Sequence, residues 1–298
     1  TGWNRSDLIE HLYAENILED TASFIWTADQ KSFFTPKAGK YALKNGMSNN
    51  DLVNLLRSGK QSPVKLTFNT IRTFEDLAGK VAPQIEADSL ALIQAFNNPA
   101  LWNKYGFSSS TFFTLFIPNT YEFYWNTSAE EFIQRMAQEY KRFWNESRKA
   151  KAKAIGLSQS EVSILASIVQ AEQMSHPDER AKVAGLYLNR LKRGMRLQSD
   201  PTLVYAMRDF SINRVLNEHK SIQSPYNTYL FAGLPPGPIN LPELSSLEAV
   251  LNPEQHNYLY MCAKADFSGY HHFSKTLSQH NVYAKQYQRE LNRRKIMR

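Results

Sequence analysis

The sequence lacks the features that mark several large classes of protein. Its 298 residues contain a single cysteine, Cys262, which excludes an internal disulfide and any cysteine-based metal site. No apolar run approaches the roughly 18 residues of a membrane-spanning helix, and the chain opens without the basic and apolar regions of a signal peptide. Internal repeats and low-complexity tracts are also missing. With 42% hydrophobic and 21% charged residues, the chain is predicted to fold, and Cys262 is predicted to be a small buried hydrophobe.

The charge balance favours an anionic partner. A net charge of +7 suits nucleic acid, a lipid surface or an acidic wall polymer. Nucleic acid ranks last, because no RNP, helix-turn-helix or zinc-finger pattern accompanies the charge. The seven histidines are scattered and no His-Glu-x-x-His occurs, so we expect no metal and no cofactor.

Periodicity and turn signals predict an α+β protein with a small N-terminal module followed by a mixed α/β domain, in which the motifs described below lie. In the first half, a strand at 38–43, a helix between Ser48 and Gly59 and a strand at 63–68 form a short unit. An aromatic strand is predicted at 112–121. The stretch 145–153 is polar and lacks apolar periodicity, which places the boundary between domains 1–150 and 151–298 there.

One helix carries an acid in an unusual place. Ser158 and Glu161 form a capping box, after which aliphatic residues from Val162 to Val169 fill one broad arc of the helix. Glu172 falls near the centre of that arc and Gln170 falls outside it. Burial disfavours the ionised carboxylate, so such a glutamate keeps its proton near neutral pH and can act as a general acid. The alternative is a glutamate at a frayed helix end that points outward or pairs with an arginine.

The segments that follow are rich in turns and fixed polar groups. Three prolines and two glycines make a rigid loop at 233–238. Tyrosine, asparagine, glutamine and threonine are frequent around it, and charges are few. These side chains suit the hydroxyl and acetamido groups of a sugar, although each loop taken alone is more often structural.

Several motifs occur together in the order and spacing of one family. They are Ala-Ser-Ile-Val-Gln-Ala-Glu at 166–172, Asn-Arg-Leu at 189–191, Gly-Met-Arg-Leu-Gln-Ser-Asp-Pro-Thr at 194–202, Tyr-Asn-Thr-Tyr at 226–229, Gly-Leu-Pro-Pro-Gly at 233–237 and Gly-Tyr-His-His-Phe at 269–273. Together they closely resemble the YceG-like endolytic peptidoglycan transglycosylases. The likeness covers nearly the whole chain, strongly in the second half and loosely in the first, where about 36–68 resembles the family's LysM-like module. Gln170, Asn119 and Glu243 depart from the residues that are frequent in the family.

The resemblance implies a mechanism with a single carboxylate. Glu172 would protonate the glycosidic oxygen between MurNAc and GlcNAc and then take the proton of the C6 hydroxyl, which leaves a 1,6-anhydroMurNAc end. The substrate-binding candidates are Gln198, Asp200, Tyr226, Asn227, Thr228 and Phe273. Among them, Tyr226 or Phe273 would offer a ring face to the sugar. Asp200 precedes Pro201 and is more readily explained as a turn cap than as a second catalytic carboxylate.

The family also implies partners and a location. The expected partners are peptidoglycan glycan strands and peptidoglycan synthases, with no nucleic acid. We expect a single membrane helix preceding this chain, the inner membrane as its site and a catalytic domain that faces the periplasm. Two rival functions stay open: a muramidase that cuts the same bond with water, and a non-catalytic wall-binding protein.

Overall fold

The computed structural model describes residues 2–69, 71–212 and 215–294. In chain order the helices are α1 (Arg5–Ala14), α2 (Thr21–Gln30), α3 (Asn49–Ser58), α4 (Phe74–Val81), α5 (Ser89–Phe96), α6 (Pro99–Tyr105), α7 (Ala129–Phe143), α8 (Glu146–Ala154), α9 (Gln159–Glu172), α10 (Arg180–Lys192), α11 (Asp200–Met207), α12 (Leu244–Leu251) and α13 (Leu277–Arg293). The strands are β1 (Val64–Phe68), β2 (Asn119–Phe123), β3 (Tyr260–Ala263) and β4 (His271–Ser274). Two two-stranded sheets, β1 with β2 and β3 with β4, give an α+β protein in which helices dominate.

The chain forms two compact units that are not continuous in sequence. The first unit contains 1–68, 77–95 and 120–132; the second contains 69–76, 96–119 and 133–298. This division differs from the predicted boundary near residue 150, which lies inside α8 and therefore inside the second unit. Composition reports local polarity, whereas the units depend on packing between distant segments.

The first unit has a small core of helix faces. Buried apolar side chains of α1, α2 and α3 pack together; they are Leu8, Leu12, Phe24, Ala28, Leu52, Val53 and Leu56. Side-chain caps start these helices at Asn4, Asp20 and Ser48. Capping and a shared apolar face therefore account for this part of the fold.

Two strand predictions in the first half are wrong in part. The segment 38–43 forms no strand; it has one backbone hydrogen bond to the neighbouring segment, from the Ser62 N–H to the Lys40 carbonyl. The strand β1 pairs with β2 instead, about fifty residues later in the chain. The aromatic segment at 112–121 opens as a 3-10 turn, Phe112–Leu115, and becomes extended as a strand only at Asn119.

The second unit is built around α9. The predicted capping box is present: the Ser158 side chain accepts from the Glu161 N–H, and the Glu161 carboxylate accepts from the Ser158 N–H. Every residue from Val162 to Gln170 is buried, because α8, α10, α11 and α12 all contact α9. The prediction that Gln170 lies off the buried face is therefore wrong, since its side chain is buried like those of its neighbours.

A hairpin and the last long helix complete this unit. Strands β3 and β4 are antiparallel, with Met261 opposite Phe273 and Ala263 opposite His271. Helix α13 packs on both strands. Cys262 lies in β3 and is half-buried, and its burial raises the pKa of the thiol. Across the described part of the chain, no helix is both long and apolar enough to cross a membrane.

Candidate active site

Glu172 is the last residue of α9, and two hydroxyl groups hold one of its carboxylate oxygens. The Tyr187 hydroxyl on α10 donates to Glu172 Oε1 over 2.8 Å. The Ser199 hydroxyl, just before α11, donates to the same oxygen over 2.5 Å. No described residue donates to Oε2. Three parts of the chain therefore fix one oxygen of the carboxyl group and leave the other without a protein donor.

The surroundings of Glu172 favour its neutral form. Burial is the largest influence and raises the pKa of this carboxyl above its ordinary value. The hydrogen bonds from Ser199 and Tyr187 oppose that rise, as does the charge of His271, while the negative charge of Asp200 adds to it. Tyr187 is itself buried, and its pKa is well above the ordinary value, so it stays a donor. With Oε1 occupied as an acceptor, Oε2 is the atom that would carry the acidic proton.

Ser199 is positioned by a small network of buried hydroxyl groups. The Ser199 N–H donates to Thr228 Oγ1 over 3.0 Å, and the Thr202 hydroxyl donates to the Ser199 carbonyl over 2.7 Å. The two threonine hydroxyls lie 2.9 Å apart, and the Gln198 N–H donates to the Thr228 carbonyl. Thr228 was a predicted sugar ligand; here it is buried and holds Ser199 in place.

Asn227 also supports the site from beneath its surface. Its amide donates to the Lys220 and Ile222 carbonyls, and its Oδ1 accepts from the Tyr229 and Leu230 N–H groups. The side chain is fully buried. A direct sugar contact by Asn227, as predicted from the sequence, would break these bonds, so the structure gives it the role of fixing the loop at 224–230.

Three of the predicted substrate-binding residues keep accessible side chains in this part of the unit. Gln198 is exposed and has a left-handed backbone, with φ of 52°. Asp200 is exposed and accepts a short hydrogen bond from the Tyr229 hydroxyl. It is the first residue of α11, and no backbone N–H of the described residues donates to it, so the predicted turn-capping role is wrong. Tyr226 is half-buried, with its ring 4.8 Å from that of Tyr205.

A glycine fixes the rigid loop against Tyr226. A Cβ atom at Gly237 would overlap the Ser110 carbonyl and would come within 2.7 Å of the Tyr226 hydroxyl. Only glycine allows the backbone this close to both groups. The proline-rich loop predicted to be rigid therefore supports one of the predicted sugar-binding rings.

Phe273 lies on the same side of β4 as His271, with ring centroids 6.3 Å apart. It is half-buried, and the Lys182 ammonium lies 5.6 Å from its ring centroid. His271 is the member of this strand that influences the Glu172 charge. Phe273 lies two residues beyond His271 on β4 and stays a predicted ring contact for the sugar.

A carboxylate–histidine pair stands beside Glu172 and was missed from the sequence. His271 Nδ1 lies 2.7 Å from Glu179 Oε2, and the His271 N–H donates to Glu179 Oε1 over 2.9 Å. The Gln173 amide also donates to Glu179 Oε2 over 2.6 Å. Burial alone would raise the pKa of Glu179, but the bonds from His271 and Gln173 hold it below its ordinary value. The only sequence signal was the Gly-x-His-x-Phe match, which gave His271 no acidic partner.

Buried Arg180 clamps the chain just beyond Glu172. Its Nε donates to the Gln173 carbonyl over 2.9 Å and its Nη2 to the Met174 carbonyl over 3.3 Å. Its Nη1 binds the Glu243 carboxylate over 2.7 Å. The Glu243 N–H in turn donates to Gln170 Oε1 over 2.6 Å. Two of the departures from the family pattern, Gln170 and Glu243, thus meet at the end of the helix that carries the acid.

Within the described ranges, no three His, Cys, Asp or Glu side chains come together as a set that could hold a metal ion. The groups that the site presents are the Glu172 carboxyl, whose pKa burial raises, two hydroxyl donors and a histidine–carboxylate pair.

Comparisons with known proteins identify the family. The model of the YceG-like family matches residues 1–286. The endolytic murein transglycosylase of Bacillus subtilis strain 168 is 29% identical over 303 residues, covering 96% of this chain and 83% of that protein. The enzyme of the same name from Streptococcus pneumoniae serotype 2 is 27% identical and matches 88% of this chain, which spans about half (53%) of that relative. A crystal structure of a yceG-like protein from Listeria monocytogenes superposes with a TM-score of 0.62 at 26% identity, covering 95% of this chain and 96% of that one. With the family model matched over almost its whole length, this chain belongs to the YceG-like family.

Proposed function

We propose that this protein is an endolytic peptidoglycan lytic transglycosylase. It cleaves the β-1,4 bond from MurNAc to GlcNAc within glycan strands, leaves 1,6-anhydroMurNAc ends and so limits the length of nascent strands. The observation that carries the proposal is a single raised-pKa carboxyl group, Glu172, with one oxygen held by two hydroxyls and the other open. The names of the curated relatives support the same substrate and reaction class.

The reaction balances with Glu172 alone. Its Oε2 proton passes to the glycosidic oxygen as the C1–O bond breaks, which frees the C4 hydroxyl of GlcNAc. The carboxylate left behind is stabilised by the Tyr187 and Ser199 hydroxyls. It then takes the proton of the MurNAc C6 hydroxyl while that oxygen forms a bond to C1. One group acts first as acid and then as base, and it ends protonated as it began.

A hydrolase is the second candidate, and Asp200 is the observation that favours it. Its carboxylate is exposed and close enough to Glu172 for its charge to raise the pKa of that group. Paired carboxylates are the usual equipment of glycoside hydrolases. Against this, Asp200 already accepts the Tyr229 hydroxyl, which restrains it from activating a water.

The mass of the products distinguishes the two reactions. Purified peptidoglycan should yield fragments of varied length whose new ends are anhydro and resist borohydride. Ends one water heavier would make the protein a hydrolase, and disaccharides released only from termini would overturn the endolytic assignment. An Asp200→Asn variant sharpens the comparison, because a hydrolase would lose most activity while a transglycosylase would keep most of it.

The place of action is a further part of the proposal. We infer a single-pass protein of the bacterial inner membrane with this catalytic unit in the periplasm, next to peptidoglycan synthases. The polymer to be cut lies outside the cytoplasmic membrane, and a net charge of +7 suits the anionic leaflet. Fractionation of cells that express the natural full-length protein tests this, since recovery without detergent in the soluble periplasmic fraction would contradict anchoring.

The region of about 36–68 is proposed as a LysM-like glycan-binding module. Its helix α3 and strand β1 are present, whereas the strand predicted at 38–43 is not. Cosedimentation with insoluble peptidoglycan of the whole protein and of a variant with substituted α3 surface residues tests the binding role. Equal cosedimentation of the two would count against it.

A further inference from the structure

A strip of aromatic rings and arginines leads away from the candidate active site along α11. It consists of Arg72, Tyr205, Arg208, Phe210 and Tyr226, and is called here the basic aromatic strip. The Arg72 guanidinium lies 4.8 Å from the centroid of the Phe210 ring, and the ring centroids of Phe210 and Tyr205 are 6.4 Å apart. Tyr205 is 4.8 Å from Tyr226, and the Arg208 guanidinium lies 4.9 Å from the Tyr205 centroid. Each member thus contacts the next.

The strip is continuous with the residues around Glu172. Helix α11 begins with Asp200, whose charge acts on Glu172, and Tyr205 follows five residues later. At 1.5 Å per residue this is a shift of about 7.5 Å along the helix axis. At its other edge, Tyr226 belongs to the loop that continues to Thr228, which holds Ser199. A polymer bound at Glu172 therefore has the strip within reach.

Neither guanidinium group of the strip has a carboxylate of the described residues directly on it. Among the residues that the structure describes, neither Arg72 nor Arg208 forms an ion pair. Three acids lie close to the strip: Asp76 accepts the Arg72 and Thr73 N–H groups, Asp209 accepts from Ser211, and Glu75 lies near enough to raise the pKa of Tyr205. None of the three forms an ion pair with either guanidinium in the part of the chain that the structure describes.

Stacking on a ring orients an arginine without consuming its charge or its edge donors. A guanidinium over a ring is attracted to the electron-rich face of that ring. Its N–H groups stay free to bind a carboxylate in the plane of the fork. Arg72 is half-buried and Arg208 is exposed, so both remain reachable from solvent.

We propose that the basic aromatic strip is a subsite for the carboxylates of peptidoglycan stem peptides. This inference rests on the proposed function, because it assumes that a glycan strand occupies the site at Glu172. A peptide attached to MurNAc projects from the strand and ends in carboxylates, so two guanidiniums whose N–H groups have no carboxylate partner among the described residues can pair with it. The subsite makes peptide-bearing strands better substrates than strands without those charges.

The test compares three substrates that differ in charge. They are soluble peptide-bearing strands, the same strands with their carboxylates converted to neutral amides, and strands stripped of peptide by an amidase, which keep only the lactyl carboxylate. The native protein should prefer the first substrate in kcat/KM. Arg72→Gln and Arg208→Gln should each reduce that preference about threefold, and together about tenfold, through KM, as expected for exposed charge pairs. The preference of the native protein should also weaken as salt rises.

Arg289→Gln is the matched control. Arg289 lies on α13, is exposed and forms no ion pair among the described residues, so its loss changes net charge equally without touching the strip. The preference should be unaffected by it. If Arg289→Gln lowered the preference for peptide-bearing strands equally, the effect would be one of net charge alone. If Arg72→Gln and Arg208→Gln also lowered kcat/KM with stripped strands to the same extent, the two arginines would bind the lactyl carboxylate instead. Either result overturns the proposal.

Failure of this proposal is distinct from failure of the proposed function. Cleavage of all three substrates to anhydro ends, with no preference among them, would remove the subsite and leave the transglycosylase. No cleavage of any of them by the native protein would remove the function itself.

Discussion

The two units treat polar groups in opposite ways. In the described part of the first unit, Thr127 is the only polar side chain that is buried. In the second unit the buried polar set is large; it includes Ser167, Gln170, Gln173, Glu179, Arg180, Arg190, Ser199, Thr202, Asn227, Thr228 and Asn240. Buried polar groups are costly unless they are hydrogen-bonded, so a protein rarely collects them without a use. Several of these buried groups in the second unit form hydrogen bonds that hold side chains and backbone in place around Glu172.

Among the substitutions that test this difference between the units, replacement of the acid Glu172 should have the largest effect on activity. Glu172→Gln should reduce glycan cleavage by at least about a hundredfold, because the amide fills the same space and cannot donate the proton. The melting temperature should not fall. The matched change in the first unit is Glu131→Gln, which removes a carboxylate that accepts the Ser128 N–H. Near-normal turnover by Glu172→Gln in a folded protein would remove this residue from its role.

The sequence allowed the prediction of Glu172 but not of its partners. The capping box and the arc of α9 follow from local order along the chain, and both are present. Tyr187 and Ser199 lie 15 and 27 residues away from Glu172, and only packing brings them together. Tyr187 is buried, but a buried tyrosine that fills the core and one that holds a carboxylate give the same sequence pattern. Gln170 was misjudged because a helix with partners on several sides has no polar face.

The strand predicted at 38–43 failed for a related reason. Alternation of apolar residues shows that a segment could be a strand, not that a partner is available. Here β1 pairs with β2, which follows three helices (α4, α5 and α6) later in the sequence. The division into compact units depends on packing in the same way, because the segments 69–76 and 96–119 join the second unit.

The next largest effect concerns stability and compares one arginine from each unit. Arg180→Gln should lower the free energy of unfolding by about 3 kcal/mol, because it leaves the Gln173 carbonyl and the Glu243 carboxylate without their donor. Arg5→Gln breaks an exposed pair with Asp29 in the first unit and should cost less than about 1 kcal/mol. Denaturant unfolding measures both. Equal decreases in the free energy of unfolding would show that burying these polar groups does not add to their contribution to stability.

A smaller effect should appear in the pH dependence of activity. Ser199 donates to Glu172 and lowers the pKa of that carboxyl, so Ser199→Ala should raise it. The first step needs the protonated acid, and the alkaline limb of kcat/KM should therefore move to higher pH. The maximal kcat should fall about tenfold, since the carboxylate formed in that step loses a donor.

The control for Ser199 is another buried serine of the same unit. Ser163 donates to the Gln159 carbonyl within α9 and does not contact Glu172. Ser163→Ala should leave the alkaline limb in place. If the alkaline limb of kcat/KM moved equally in both variants, or in neither, the hydrogen bond from Ser199 to Glu172 would not be what sets the pH dependence.

The smallest effect compares two carboxyl groups of the same site, seven residues apart. The pKa of Glu172 is raised on folding, so its contribution to stability is present below the ordinary value of 4.5 and is lost as pH rises through the folded pKa. The pKa of Glu179 is lowered, so its contribution is present above 4.5 and is lost as pH falls through the folded pKa. Relative to the native protein, the melting temperature of Glu172→Gln should rise between acid and neutral pH, and that of Glu179→Gln should fall. Thermal unfolding across that range gives the two slopes, and slopes of the same sign would mean that burial dominates at both positions and that His271 does not hold Glu179 ionised.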